Sequence, residues 1–237
     1  MITERYHDDA PEFSSEIEEV LRIALHAVTI ANTDPNKSSV YSTGDMYGTT
    51  VISDDIYRGG VLHDRATELY IKLYPNIADA ELQYATMNAL QRHLAQEAIG
   101  ITAVRHLALL SAAPDGAAAA IIEPAAGISA KELPMQERAS IALQTQRTLD
   151  TTLGRNTARL LVNDLNRPGN VAGNIFIRDI DETRHLTLID QPFYNIDTTP
   201  KKVRKALIGL GMHDDADRIA TLMRKHKPQD TDGWFWW

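Results

Sequence analysis

The spacing of apolar positions changes period twice along the chain. Ile17, Val20, Leu21, Ala24, Leu25 and Val28 recur every three or four residues and predict an amphipathic helix over 16–31. Ser15 and Glu18 form a capping box at its start, each satisfying a backbone N–H that the first turn leaves free. Residues 1–13 carry no pattern and read as loose. From Val40 the runs shorten. Val40-Tyr41 and Thr49-Thr50-Val51-Ile52 predict a hairpin around Gly44 and Gly48. A polar connection with Gly59-Gly60, a strand over 67–74, Val104 to Leu110 and Ala117 to Ile122 continue the strand-like series. One helix interrupts it, over 78–97 after the turn Pro75-Asn76, with Leu82, Ala85, Thr86, Ala89, Leu90 and Leu94 on one side.

Glu123-Pro124-Ala125-Ala126-Gly127 breaks both periods and reads as a linker. Helical spacing returns over Glu132 to Leu153, with Gly154 as its C-cap, and again over Ala158 to Val162. Strands follow at 174–178 and 186–190. Thr199-Pro200 opens a further helix, with proline at its first position, and Asp214 to Lys225 forms the last one. The expected fold class is therefore α+β in two parts. Residues 36–123 form a small antiparallel sheet with one helix, and residues 124–237 a mainly helical part with a β-hairpin and an aromatic tail, Trp234-Phe235-Trp236-Trp237. Residues 1–35 are an N-terminal extension. The tail suits either packing across the fold or an exposed partner patch.

Composition narrows the function classes. A hydrophobic fraction of 43% with 24% charged residues describes an ordinary globule with a sizeable core. The net charge of −8 argues against general nucleic-acid or anionic-membrane binding. With no cysteine, disulfides, zinc–thiolate sites and cysteine nucleophiles are excluded. The first residues are polar and acidic, unlike a signal peptide, and no apolar run approaches the ~20 residues that span a bilayer. A cytoplasmic protein is the expectation. His106, His185 and His213 lack metal-ligand spacing, and no serine sits in a Gly-x-Ser-x-Gly elbow. Lys201, Lys202, Arg204 and Lys205 cluster on a predicted helix and read as a solvated basic face.

Three segments carry chemistry together. Lys72 interrupts the apolar run Leu69-Tyr70-Ile71-Lys72-Leu73-Tyr74, on the opposite side from Ile71 and Leu73, and Glu81 follows on the next helix. Asn174 leads into Ile175-Phe176-Ile177, and Leu186-Thr187-Leu188-Ile189 ends at Asp190. In this order the segments resemble a compact, atypical member of the protein-kinase-like phosphotransferases, the group that includes HipA-like kinases, lipid-kinase-like proteins and aminoglycoside phosphotransferases. The resemblance covers residues 36–225 and implies a bilobal fold that binds ATP and Mg²⁺. It implies that Lys72 grips the phosphates and pairs with Glu81, and that Gly44 and Gly48 belong to a loop over the phosphates. The region around Glu123 would be the hinge that holds adenine through backbone groups. Asn174 and Asp190 would ligate the metal through oxygen, as a hard cation prefers.

The catalytic loop departs from the pattern. The residue five before Asn174 is Gly169, which accepts no proton. Asn163-Asp164-Leu165-Asn166-Arg167-Pro168-Gly169-Asn170-Val171 is similar to the aminoglycoside-phosphotransferase loop with one residue inserted. Asp164 is then the catalytic base, and Asn170 competes with Asn174 as metal ligand. Gln191-Pro192 replaces the usual Phe-Gly after the metal aspartate. The expected function is an ATP- and Mg²⁺-dependent phosphotransferase acting on an acceptor hydroxyl of a protein, small molecule or lipid headgroup. The alternative is a pseudokinase, a regulatory binding module without significant turnover.

Overall fold

A computed structural model describes residues 3–6, 49–53, 61–64, 67–74, 77–97, 99–111, 118–161, 175–180, 183–189 and 199–225. The fold is α+β, with two small sheets and a set of helices. The first sheet contains β1 (Thr3–Tyr6), β2 (Thr49–Ser53), β3 (Val61–Asp64), β4 (Tyr70–Tyr74), β6 (His106–Ser111) and β7 (Ala118–Ile122), all antiparallel, in the spatial order β1-β6-β7-β4-β3-β2. β7 reads Ala118-Ala119-Ala120-Ile121-Ile122 and is buried along its whole length. Such an unbroken apolar run suits a strand covered on both faces. Alanine prefers helices, but here pairing with β4 on one edge and β6 on the other overrides that preference.

The N-terminus departs from expectation. Residues 1–13 read as loose, yet Thr3–Tyr6 pairs with β6 from Thr3↔Ser111 to Tyr6↔Ala108. A four-residue strand is too short to show a period, and its partner lies far along the chain. The strand expected over 67–74 is also reshaped. Asp64 closes a turn by accepting from Thr67 N at 3.0 Å and Thr67 Oγ1 at 2.5 Å, and the strand proper starts at Tyr70.

Helix α1 (Ile77–Glu97) matches the expected span but not the expected one-sided face. Every residue from Leu82 to Leu90 is buried. The first sheet covers one side, while β5 (Ile101–Ala103) and the C-terminal helix α5 (His213–Lys225) cover others. A helix enclosed this way needs apolar or hydrogen-bonded residues all round. Thr86 accordingly donates its hydroxyl to the Leu82 carbonyl at 2.8 Å. Asn88 spans the backbone of His106, with Oδ1 accepting from its N–H at 2.9 Å and Nδ2 donating to its carbonyl at 3.0 Å. β6 changes register between His106 and Ala108, so the carboxamide serves there as a strand partner.

The second sheet has the order β5-β10-β9-β8, with β8 (Ile128–Ser129), β9 (Ile175–Ile180) and β10 (Thr183–Leu188). β5 joins β10 in parallel and the other pairs are antiparallel. Helix α2 (Met135–Leu149) runs through a π-helical turn at Asp150–Gly154 into α3 (Arg155–Leu161). Gly154 has the positive φ of a helix-ending glycine, +77°, but the chain re-enters a helix at once. Thr145, Thr148 and Thr151 each donate to the carbonyl four residues back, at 2.7, 3.0 and 2.9 Å, on the approach to and within that widened turn. Helix α4 (Pro200–Gly209) has its expected cap, Thr199 Oγ1 accepting from Lys202 N at 3.3 Å. Lys201, Lys202, Arg204 and Lys205 are exposed on it, as read. The expected helix over 16–31, the 40–48 hairpin tip, the catalytic loop and the aromatic tail lie outside the described residues. Among the described residues no helix is long and apolar enough to cross a membrane.

Candidate functional site

Lys72 sits mid-strand in β4, paired with Val61 on one side and Ala120 on the other. Cross-strand partners share a face. Tyr70↔Ile122, Lys72↔Ala120 and Tyr74↔Ala118 therefore make up one face of the sheet, and Ile71↔Ile121 and Leu73↔Ala119 the other. Tyr74, Ala118, Ala120 and Ile122 belong to the same core cluster as Ala80, Leu82 and Ala85 of α1. Lys72 thus stands on the face that α1 covers. Its Nζ lies 5.3 Å from the Tyr74 ring centroid, and neither Lys72 nor Glu81 is without a partner. Glu81 is half-buried in the second turn of α1, which begins three residues after β4 ends.

Gly44 and Gly48 lie outside the described residues. Ser53 pairs with Val61, and Val61 with Lys72, whereas Thr49 pairs with Asp64 at the opposite end of the hairpin. The connection that leaves and rejoins the sheet beside Lys72 is therefore 54–60, which carries Gly59-Gly60. Gly48 adjoins the far end.

Glu123 follows β7 and holds Arg105. Its Oε1 accepts from Arg105 N at 2.8 Å, its Oε2 from Arg105 Nε at 2.7 Å, and its own N–H donates to the Arg105 carbonyl at 3.1 Å. The carboxylate thus fixes the start of the linker against the β5–β6 connection. Arg105 gives no sequence signal for this role. Beside it, the His63 ring stacks on Tyr70 with centroids 4.7 Å apart, and His63 Nε2 lies 3.2 Å from Glu68 Oε2. Glu68 adopts φ +59°, uncommon for a residue with a Cβ. Burial, and then the Glu68 carboxylate, push the Tyr70 hydroxyl above its ordinary pKa.

Asp164, Asn174 and Asp190 lie outside the described residues, while the strands that lead to Asn174 and Asp190 are described. Ile175, the residue after Asn174, pairs with Leu188, two residues before Asp190. Both positions therefore adjoin the same end of the β9–β10 hairpin. That end is tied to the first sheet, since Val104 N donates to the Leu188 carbonyl at 2.9 Å and Arg105 follows with its clasp on Glu123. A path of hydrogen bonds, peptide bonds and strand pairing thus runs from the hairpin end through Val104, Arg105, Glu123 and Ile122 to Tyr70, two residues from Lys72 on the same face. Among the described residues no cluster of three or more His, Asp or Glu forms a metal site. Compared with known protein families and with curated protein sequences, the chain matches none.

Proposed function

We propose that this chain is an ATP- and Mg²⁺-dependent phosphotransferase with a compact, bilobal, protein-kinase-like fold. The observation that carries the proposal is the setting of Lys72. It lies on the third strand of the antiparallel run β2-β3-β4, on the face that the following helix covers. Kinases keep their phosphate-binding lysine on a third strand and pair it with a glutamate from the next helix. The register of β9 and β10, which brings the positions of Asn174 and Asp190 to one hairpin end, supports a shared metal role for them. An asparagine carbonyl and an aspartate carboxylate supply the oxygen ligands that Mg²⁺ prefers.

Bound Mg-ATP would supply the transferable phosphoryl group. Lys72 would hold its phosphates, with Glu81 orienting the lysine. The 54–60 connection, rather than Gly44 and Gly48, would cover the phosphates with glycine backbone. Asp164 would orient the acceptor hydroxyl, drawn from a protein, a small molecule or a lipid headgroup. One observation favours a second reading, a pseudokinase that binds nucleotide without turnover: Gly169 stands where the family's aspartate precedes Asn174. Turnover of labelled ATP separates the two.

The test is a thermal-shift titration with ATP, with and without Mg²⁺. At a hundredfold excess over Kd, binding adds about 2.7 kcal/mol to the folded state, a rise of roughly 5–10 °C. Lys72→Ala and Asp190→Ala should each abolish the Mg²⁺-dependent rise. Its absence from the unaltered protein, or its retention in both variants, would remove the proposal.

A further inference from the structure

Helix α1 is fastened at two points one turn apart, each to a different element of the fold. Asn88 grips β6, as described. Arg92 reaches α5, where its Nη2 donates to Asp215 Oδ1 at 2.9 Å and Oδ2 at 2.7 Å. The two residues are 123 positions apart, and the Asp215 side chain is only 18% exposed. The Asp215 carboxylate is thus shielded and meets Arg92 Nη2 with both oxygens, whereas the Arg92 side chain is 38% exposed and the Arg204–Asp217 pair between α4 and α5 is more exposed at both partners. A charge-assisted bond between the two helices resists displacement of α1 against α5.

Glu81, Asn88 and Arg92 follow one another at seven and four residues, so they lie along one stripe of α1. Eleven residues make just over three turns, about 16 Å of helix. A rotation of α1 at Arg92 therefore turns Glu81 through the same angle. α5 is itself seated by Ala216, Ile219 and Ala220, all fully or almost fully buried.

We propose that Arg92 and Asp215 are positioning residues for the nucleotide site, a clamp through which the C-terminal helix sets the rotation of α1 and with it Glu81 beside the Lys72 strand. This rests on the nucleotide reading above. It makes α5 the element through which phosphate binding is tuned: an event that releases α5 loosens the grip on phosphate although α5 itself touches no nucleotide.

The test measures Mg-ATP affinity by calorimetry at a temperature where every variant remains folded. Arg92→Asp and Asp215→Arg should each weaken binding about tenfold, within the usual range of coupling between sites. The charge-swapped double variant should recover most of the loss, and Asp217→Ala should bind as the unaltered protein does. Arg92→Lys keeps the charge but replaces the guanidinium with a shorter, differently shaped donor, and should weaken binding less than Arg92→Asp while folding normally. Amide exchange across 81–90 in the nucleotide-free protein should quicken in the single variants and slow again in the double. Unchanged affinity in both Arg92→Lys and Arg92→Asp, or no recovery in the double variant, would overturn the clamp alone. No binding by the unaltered protein would overturn the nucleotide reading and the clamp with it.

Discussion

Gly127→Ala should destabilise the protein by on the order of 4 kcal/mol, against about 1 kcal/mol for Gly154→Ala. Both glycines hold a positive φ, +106° and +77°. Their surroundings differ. A Cβ at Gly127 would lie 2.0 Å from the Ile177 carbonyl oxygen and 2.6 Å from its carbon, both backbone atoms, whereas a Cβ at Gly154 meets nothing within 4 Å. Backbone of β9 cannot step aside without breaking the pairing of Ile128 with Ile177 and Ser129 with Phe176. Gly127→Ala therefore adds the cost of detaching β8 to the conformational cost that both variants share. Urea denaturation of the two variants side by side checks this, and equal costs would show that β8 is not seated against β9. The consequence extends to the proposed site. β9 begins one residue after Asn174, and Gly127 ends the linker that starts at Glu123. Gly127→Ala should also weaken Mg²⁺-dependent nucleotide binding in whatever fraction remains folded.

Local signals were enough to locate several elements. Pro75-Asn76 and the spacing from Leu82 to Leu94 marked α1, Thr199-Pro200 marked α4, and the apolar run through Ile122 marked β7. These signals act within a turn or along one strand, so the residue order displays them. Elements that depend on distant partners were not legible. β1 exists because β6 offers an edge, and three-residue β5 because β10 lies parallel to it. The burial of α1 over 82–90 depends in part on α5, more than a hundred residues later, so its apolar stripe looked one-sided in sequence.

The site divides in the same way. The face of Lys72 follows from strand alternation and was readable, since Ile71 and Leu73 bracket it. Which end of the β2–β3 hairpin lies level with Lys72 was not, because it depends on the register of β3 against β2 on one side and β4 on the other. Nor was the role of Glu123. Its place after a strand suggested a hinge, but its clasp on Arg105 depends on β6 lying next to β7. Arg92 and Asp215 carry no local signal of their pairing, which exists only because α1 packs on α5.

The same contrast between local and long-range bonds sets the expected result for Asn88. Asn88→Leu should cost about 3 kcal/mol, against less than about 1 kcal/mol for Thr86→Val two residues away. The Thr86 hydroxyl donates to the Leu82 carbonyl within the helix, and that carbonyl keeps its place in the backbone ladder when the hydroxyl goes. Asn88 is 3% exposed and serves both the N–H and the carbonyl of His106, a residue with no measurable exposure, where β6 bulges. Leucine removes the acceptor for one backbone group and a donor to the other, in a place where water cannot replace them, at about 1–3 kcal/mol each. Asn88→Asp should do no better. It retains the acceptor but loses the donor, and it places a carboxylate against the His106 carbonyl in a site too buried to solvate it. Thermal and urea unfolding of the three variants decide the matter. Equal costs for Asn88→Leu and Thr86→Val would mean that β6 is held by sheet pairing alone, and that α1 reaches its position without the Asn88 link.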